Sequence, residues 1–215
     1  WQTINGIKDT ALYLSGFYSI YSKRLENEIL EGDIPNHIAI ILDGNRRWAK
    51  RNLTIQEKGH FRGADAVENL LDWCEEFDIK IITLYVLSAE NLQRKNDELD
   101  YLYELIHKRL EKLYNDPRIH KNRMRVKAIG TIELLPESIK DVLKRLDEGT
   151  KEYNNHFLNI AIAYGGQNEL VDAVKKIGEK IKSGELDSDE INKEVIESNL
   201  YTSHLPQSSP DMILR

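Results

Sequence analysis

Apolar and polar positions along this chain fall into alternating blocks with two different periods. Five short runs rich in β-branched residues, over 38–42, 81–87, 125–129, 158–163 and 212–214, read as strands. Between them, apolar residues recur at helical spacing over about 60–77, 97–114, 136–154, 168–183 and 189–198, which predicts helices. Asn96 and Asp97 suit a helix cap, and Pro136 suits a first helical turn. Repeated strand–helix units predict an α/β fold, a single domain whose mostly parallel central sheet is flanked by helices. Ahead of the first strand, Ile4, Ile7, Ala11, Leu14, Tyr18, Tyr21 and Leu25 keep a helical spacing, with Phe17 and Ile20 beside them. They predict one amphipathic helix within residues 1–34, stopped by Gly32 and Pro35, ahead of a domain over 35–215.

The bulk numbers narrow the class. An apolar fraction of 40% over 215 residues is enough for one core. A net charge of −6 argues against a nucleic-acid partner. Cys74 is the sole cysteine, which excludes an intramolecular disulfide and fits a reducing compartment. The histidines show no zinc-site spacing. No apolar stretch is long enough to span a bilayer and no signal-peptide pattern leads the chain, so the expected location is cytoplasmic.

Ligands of open parallel sheets bind at the carboxyl ends of the strands, and the polar residues of this chain collect there. The first strand runs into Asp43-Gly44-Asn45-Arg46-Arg47-Trp48 and the second into Ser88-Ala89-Glu90-Asn91, with Arg94 soon after. The fourth runs into Tyr164-Gly165-Gly166 and the last into Arg215. A carboxylate, a sharp turn and paired guanidinium groups suit Mg²⁺ and phosphate. Asp43 is either a metal ligand or the cap of the following helix. Gly44 either admits a phosphate close to the backbone or serves a plain turn. Adjacent arginines project differently, so one of Arg46 and Arg47, with Arg47 preferred, is expected to hold phosphate. Gly59-His60 is expected to open the next helix, with Arg62 and Gly63 in its first turn, where unpaired amides favour an anion. His60 either donates to a phosphate oxygen or lies on the surface. Asp97-Glu98-Leu99-Asp100 reads as an acidic cluster that caps and solvates a helix start. No dinucleotide fingerprint, P-loop or G-x-S-x-G elbow is present.

Four blocks resemble, in order, the cis-prenyltransferases, a family that includes bacterial undecaprenyl diphosphate synthase and eukaryotic dehydrodolichyl diphosphate synthase. They are Asp43-Gly44-Asn45-Arg46-Arg47-Trp48-Ala49; Gly59-His60 with Gly63; Leu84-Tyr85 through Ser88-Ala89-Glu90-Asn91 and Arg94; and Leu158-Asn159-Ile160-Ala161 with Tyr164-Gly165-Gly166. Pro210-Asp211-Met212-Ile213-Leu214-Arg215 looks like the start of a fifth. Arg46 and the Asn91-Leu92-Gln93-Arg94 form look more archaeal or eukaryotic than bacterial.

The resemblance implies condensation of isopentenyl diphosphate with an allylic primer, farnesyl or geranylgeranyl diphosphate, into a long polyprenyl diphosphate, a precursor of a glycan-carrier lipid. It implies Mg²⁺ at Asp43 and catalytic roles for Asp43 and Asn91. Gly44, Asn45, Arg46, Arg47, Trp48 and His60 become primer-side binding residues. Ser88, Glu90 and Arg94 join the reacting end, and Arg215 takes isopentenyl diphosphate. It also implies a homodimer, peripheral contact with a membrane and no nucleic acid. An apolar tunnel between sheet and helices would hold the product, with Leu70, Leu71, Leu102, Leu105 and Ile106 either lining it or packing as ordinary core. The N-terminal helix would meet either a membrane or protein.

Three departures stand out. Gln56 replaces an arginine common in the family, with Lys58 nearby, and Leu87 and Leu92 replace frequent aromatics. The family signature continues past its first arginine with a second arginine, a serine and a glutamate, so either the natural chain extends beyond Arg215, which is the favoured expectation, or half of the isopentenyl diphosphate site is missing. Rival readings are a non-catalytic subunit of a two-subunit prenyltransferase and a haloacid-dehalogenase-type phosphatase. Partner subunits of that kind usually lose the Asp-Gly-Asn block, and the phosphatases usually carry a second aspartate where this chain has Asn45.

Overall fold

A computed structural model describes residues 17–94 and 96–215. The first part of the expected N-terminal helix, up to residue 16, lies outside the described residues. Helix α1 runs over Phe17–Leu30, with an Arg24–Glu28 pair one turn apart (2.9 Å). It belongs to a unit separate from Asn36–Arg215, which holds the sheet.

Five parallel strands form that sheet: β1 (His37–Ile41), β2 (Ile81–Ser88), β3 (Met124–Ile129), β4 (His156–Tyr164) and β5 (Met212–Leu214), in the order β3-β4-β2-β1-β5. Helices cover both faces, which is why the central strands read as unbroken apolar runs rather than alternating ones. Leu158 to Ala163 of β4 are all buried. Helix α6 (Glu137–Thr150) buries Ile139, Val142, Leu143 and Leu146 at three- and four-residue intervals. Thr150 closes it by donating to Leu146 O and accepting from Val126 N of β3.

The remaining helices are α2 (Asn45–Arg51), α3 (Gln56–Glu76), α4 (Asn96–Tyr114), α5 (Pro117–Lys121), α7 (Gly166–Ser183) and α8 (Lys193–Asn199). Several differ from expectation. Helix α2 fills what reads as a turn, because its seven mostly charged residues bury only Ala49 and carry no apolar period. Helix α5 was equally silent, although Asp116 caps it ahead of Pro117. Helix α3 starts four residues early, so Gly59-His60 lies inside it and does not open it. Helix α6 stops at Thr150. Helix α8 starts at Lys193, behind an Asn192 cap, because Asp187 and Glu190 close a separate single-turn capping box.

Two polar devices hold the segment that leads into β5. Asp211 Oδ2 accepts from the amides of Asn36 and His37 (2.9 Å each), pinning β5 beside the start of β1. Across the sheet, His204 Nε2 meets Asn159 Oδ1 (2.8 Å), Asn159 Nδ2 donates to Thr83 Oγ1 (3.2 Å), and Thr83 Oγ1 meets His37 Nε2 (2.9 Å). Burial, with Lys127 and Arg125 adding to it, pushes the His204 imidazole down to about 4. Burial also lowers His37.

A ring held neutral in the fold but able to take a proton near 6.5 when unfolded favours the unfolded chain as pH falls. Stability is therefore expected to be complete above pH about 6.5 and to drop toward pH about 4. His204→Gln, which keeps an amide donor and acceptor, should flatten that drop by at most about 3 kcal/mol, read from denaturant midpoints across the interval. An unchanged slope would remove His204 as its source.

Candidate active site

The site grows from the way β1 ends. Leu42 N still pairs with Tyr85 O of β2, after which the chain turns through Asp43 and Gly44. Gly44 sits at φ 93°, a left-handed conformation that glycine adopts without strain, and it occupies the cap position of α2. Asp43 is therefore not the helix cap. Its Oδ1 accepts from Gly44 N (2.6 Å), and its Oδ2 accepts from Arg47 Nη2 (2.9 Å) and from Arg215 Nε (2.9 Å) and Nη2 (2.5 Å). The Arg215 hydrogen bonds, then the Gly44 amide, hold the Asp43 carboxyl below the usual carboxylate range. It is ionised at neutral pH.

Helix α3 crosses this turn at very short range. A Cβ built on Gly59 would lie 2.3 Å from Asn45 O, and one on Gly63 would lie 2.4 Å from Asn45 Oδ1. At Gly59, where the contact is with backbone, only glycine permits that approach; at Gly63 the contact is with the end of the Asn45 side chain. The approach carries His60 into the site, where the ring is buried and Nε2 has no hydrogen-bond partner among the described residues. Burial first, then the Arg94 charge, lowers its pKa, so a neutral imidazole faces the site.

Beyond β2, Ser88 Oγ accepts from Asn91 N and closes the short turn Ala89–Gln93. Asn91 Oδ1 accepts from Arg94 Nε (3.0 Å), and Arg94 Nη1 donates to Glu98 Oε1 (2.9 Å). Arg46 Nε and His60 Nε2 each lie 3.8 Å from the same Glu98 oxygen. Glu98 is thus no solvated helix-start residue. It is the carboxylate on which two arginines and a histidine converge. Only its four-residue spacing from Arg94 was visible in the sequence.

Asp43, Gly44, Asn45, Arg46, Arg47, His60, Asn91 and Arg94 line one cavity of about 340 Å³. Both Arg46 and Arg47 reach it, because the first turn of α2 fans them to either side; a single phosphate-facing arginine was expected. With Arg215, four guanidinium groups stand against Asp43 and Glu98, a net positive site in a chain of charge −6. Three expected residues stand apart. Trp48 carries the Arg62 guanidinium over its ring (5.0 Å), Glu90 is exposed outside the cavity, and Ser88 caps its turn.

The cavity shares Leu42, Asn45, His60, Val86 and Leu102 with a second, apolar one of about 160 Å³ between the sheet and helices α3 and α4. Leu71, Leu102, Leu105 and Ile106 line the second cavity and Leu70 does not. Together the two cavities suit a molecule with a polyanionic head and an apolar tail.

The glycine contacts can be tested directly. Gly59→Ala meets backbone and should cost about 1–3 kcal/mol in chemical denaturation. Gly63→Ala meets only the Asn45 side chain, so it should fold near parental stability while weakening calorimetric binding of inorganic pyrophosphate about tenfold. Parental stability for Gly59→Ala would contradict the geometry.

A family model described as "Putative undecaprenyl diphosphate synthase" matches residues 41–215. The tritrans,polycis-undecaprenyl-diphosphate synthase (geranylgeranyl-diphosphate specific) of Methanocaldococcus jannaschii is 46% identical over 201 residues, covering 94% of this chain and 72% of that protein. The Picrophilus torridus protein of the same description is 42% identical, covering 91% and 76%. Among solved structures, lavandulyl diphosphate synthase from Lavandula x intermedia in complex with dimethylallyl diphosphate superposes with a TM-score of 0.79 at 30% identity, covering 83% of this chain and 76% of that one. A probable undecaprenyl diphosphate synthase from Campylobacter jejuni gives 0.60 at 27%, covering 79% and 70%. These matches set aside the phosphatase reading, and the chain belongs to the undecaprenyl diphosphate synthase family of cis-prenyltransferases.

Proposed function

We propose that this protein condenses isopentenyl diphosphate with geranylgeranyl or farnesyl diphosphate, in repeated cis additions, to give a long polyprenyl diphosphate that serves as a glycan-carrier precursor. The observation that carries this reading is the adjoining pair of cavities, one lined by arginines around Asp43 and the other apolar. Geranylgeranyl diphosphate is the favoured primer because the archaeal relatives are described as specific for it.

In each addition the allylic carbon–oxygen bond breaks and diphosphate leaves with the electron pair. The terminal double-bond carbon of isopentenyl diphosphate attacks the allylic carbon, and a proton leaves to close the new double bond. The difficult charge is the one growing on the departing diphosphate, and fixed donors aimed at it lower the barrier. Arg47, Arg46 and the His60 ring bind the primer diphosphate, with the α2 backbone at Gly44 and Asn45 beside it. Asn91 and Arg94 orient the reacting end, and Ser88 shapes their turn. Arg215 holds the second diphosphate. Trp48 and Glu90 act from outside the cavity. The apolar cavity receives the prenyl chain.

Mg²⁺ fits this donor set at Asp43. The residue offers one ionised carboxylate beside phosphate-binding arginines, matching an ion usually held by one or two carboxylates and by substrate phosphates. Among the described residues no three His, Cys, Asp or Glu side chains group as a cage. When bound, Mg²⁺ would supply positive charge to the leaving diphosphate.

A homodimer belongs to the same proposal, supported by Leu170, Val171 and Val174 exposed on α7. So does a cytoplasmic protein touching the membrane through its N-terminal segment, supported by that segment's amphipathic spacing. No helix among the described residues is long and apolar enough to cross a membrane.

The test is incorporation of radiolabelled isopentenyl diphosphate into organic-extractable product, with and without EDTA. EDTA should abolish it, and Asp43→Ala should lower it by about 100-fold or more. Full turnover by Asp43→Ala, with Mg²⁺ still required, would sink the assignment.

A further inference from the structure

The link between α2 and α3 places two large apolar side chains where the local backbone disfavours them. Leu53 has φ 48°, in the left-handed region, and is 96% exposed. A bulky side chain is strained there, and glycine or asparagine is the usual occupant. The conformation is set by the way α2 ends, with the amides of Asn52, Leu53 and Thr54 folded back onto Trp48 O, Lys50 O and Ala49 O. Ile55 occupies the cap position of α3, is 60% exposed and makes no side-chain hydrogen bond to the helix. Isoleucine is among the poorest helix caps, whereas serine or asparagine would bond a free amide. Burial compensates neither residue. Polar side chains would suit the fold better at both positions, so the use of an apolar one lies outside the described fold.

The charges around these two residues identify that use. Residues 44–64 hold six basic side chains, Arg46, Arg47, Lys50, Arg51, Lys58 and Arg62, against one carboxylate, Glu57, in a chain of net charge −6. Glu98 and Asp43 take up Arg46 and Arg47 within the site. Lys50, Arg51, Lys58 and Arg62 are exposed, and among the described residues they make no ion pair with a carboxylate. Ile55, Lys58 and Arg62 follow at three- and four-residue spacing and share one stripe of α3. Glu57 is turned about 100° away from Lys58 around the helix. The Arg62 guanidinium lies over Trp48 (5.0 Å), three residues before Arg51 on α2. That contact joins the two helix faces into one surface, with Leu53 at their junction.

We propose that this tip, Leu53 and Ile55 among Lys50, Arg51, Lys58 and Arg62, docks on an anionic lipid bilayer, independently of the N-terminal segment. The two apolar side chains enter the boundary between headgroups and acyl chains, and the cations meet the lipid phosphates. A side chain as exposed as Leu53 stands out from its surroundings and lines no groove, which favours a fluid surface over a protein partner. Docking also brings the arginine-lined cavity close to the bilayer. Helix α2 is seven residues long, about 10 Å, and its first turn carries Arg46 and Arg47 into that cavity. On the proposed function, on which this consequence alone rests, an insoluble product is then released beside the bilayer that takes it up.

The test is co-sedimentation of the full-length protein with phosphatidylcholine vesicles, with or without about 30% phosphatidylglycerol. The parent should bind the anionic vesicles about tenfold or more tighter than the neutral ones, and about 1 M KCl should release it. Leu53→Asn with Ile55→Ser should weaken binding to the anionic vesicles about tenfold or more. The same variant should keep or raise the denaturant midpoint, because asparagine suits the left-handed position and serine the cap. Lys50→Gln with Lys58→Gln should weaken anionic binding about tenfold or more and leave neutral binding unchanged. Equal binding by the parent and the Leu53/Ile55 variant, as contact through the N-terminal segment alone would give, would overturn the proposal. So would a parent that binds neither kind of vesicle. A self-associated species that the parent forms in sedimentation velocity and the variant loses would make the tip an interface between copies, and would overturn it too. Binding is read without turnover, so absence of product from the parent would overturn the proposed function and the release role, while vesicle binding still decides the docking.

Discussion

The close passage of α3 over the first turn of α2 is the contact on which the site depends. Two glycines let a helix backbone touch Asn45, and three things follow from that approach. His60, next to the first glycine, is driven under cover with an unsatisfied ring nitrogen. The first turn of α2, which carries Arg46 and Arg47, is held against α3. The start of α3 is fixed by backbone contact, so the middle of the helix has no need of a large apolar face.

Charge then organises what packing has brought together. Three guanidinium groups lining one cavity, with Arg215 beside it, would repel each other and scatter into solvent. Two carboxylates prevent this by different routes. Asp43 gathers Arg47 and Arg215 from opposite ends of the chain, and Glu98 draws Arg94, Arg46 and His60 to the other side. The result is a ring of donors held open around a central space and still net positive. Such a ring needs little rearrangement when a diphosphate enters, which is the condition under which fixed dipoles and charges lower a barrier most.

Much of this was legible in the sequence, for identifiable reasons. Parallel strands covered on both faces leave compact apolar runs, so all five strands were found, their ends within two residues. The chemistry at their carboxyl ends followed from topology. Helix α2 was illegible because charged residues with one buried alanine show no period. The start of α3 was masked by Gly59, which breaks the pattern for a tertiary reason. Glu98 was misread because two of its three partners, His60 and Arg46, lie far away in sequence. Helical spacing marked the leucines of α3 and α4 as a face, but it could not separate Leu70 from Leu71, since one residue's rotation decides which of them meets the cavity.

The two ends of the β1–β5 pair are worth considering as one mechanical element. Asp211 grips the start of β1 through two amides, and Arg215 grips Asp43 at the other end. In a strand, a slip of one residue turns every side chain to the opposite face. The Asp211 anchor therefore acts as an index pin. Damage there would leave every side chain of the proposed site chemically intact, yet it would aim Arg215 away from Asp43. A lesion at the quiet end of the sheet would then act on the proposed site as the loss of Arg215 would.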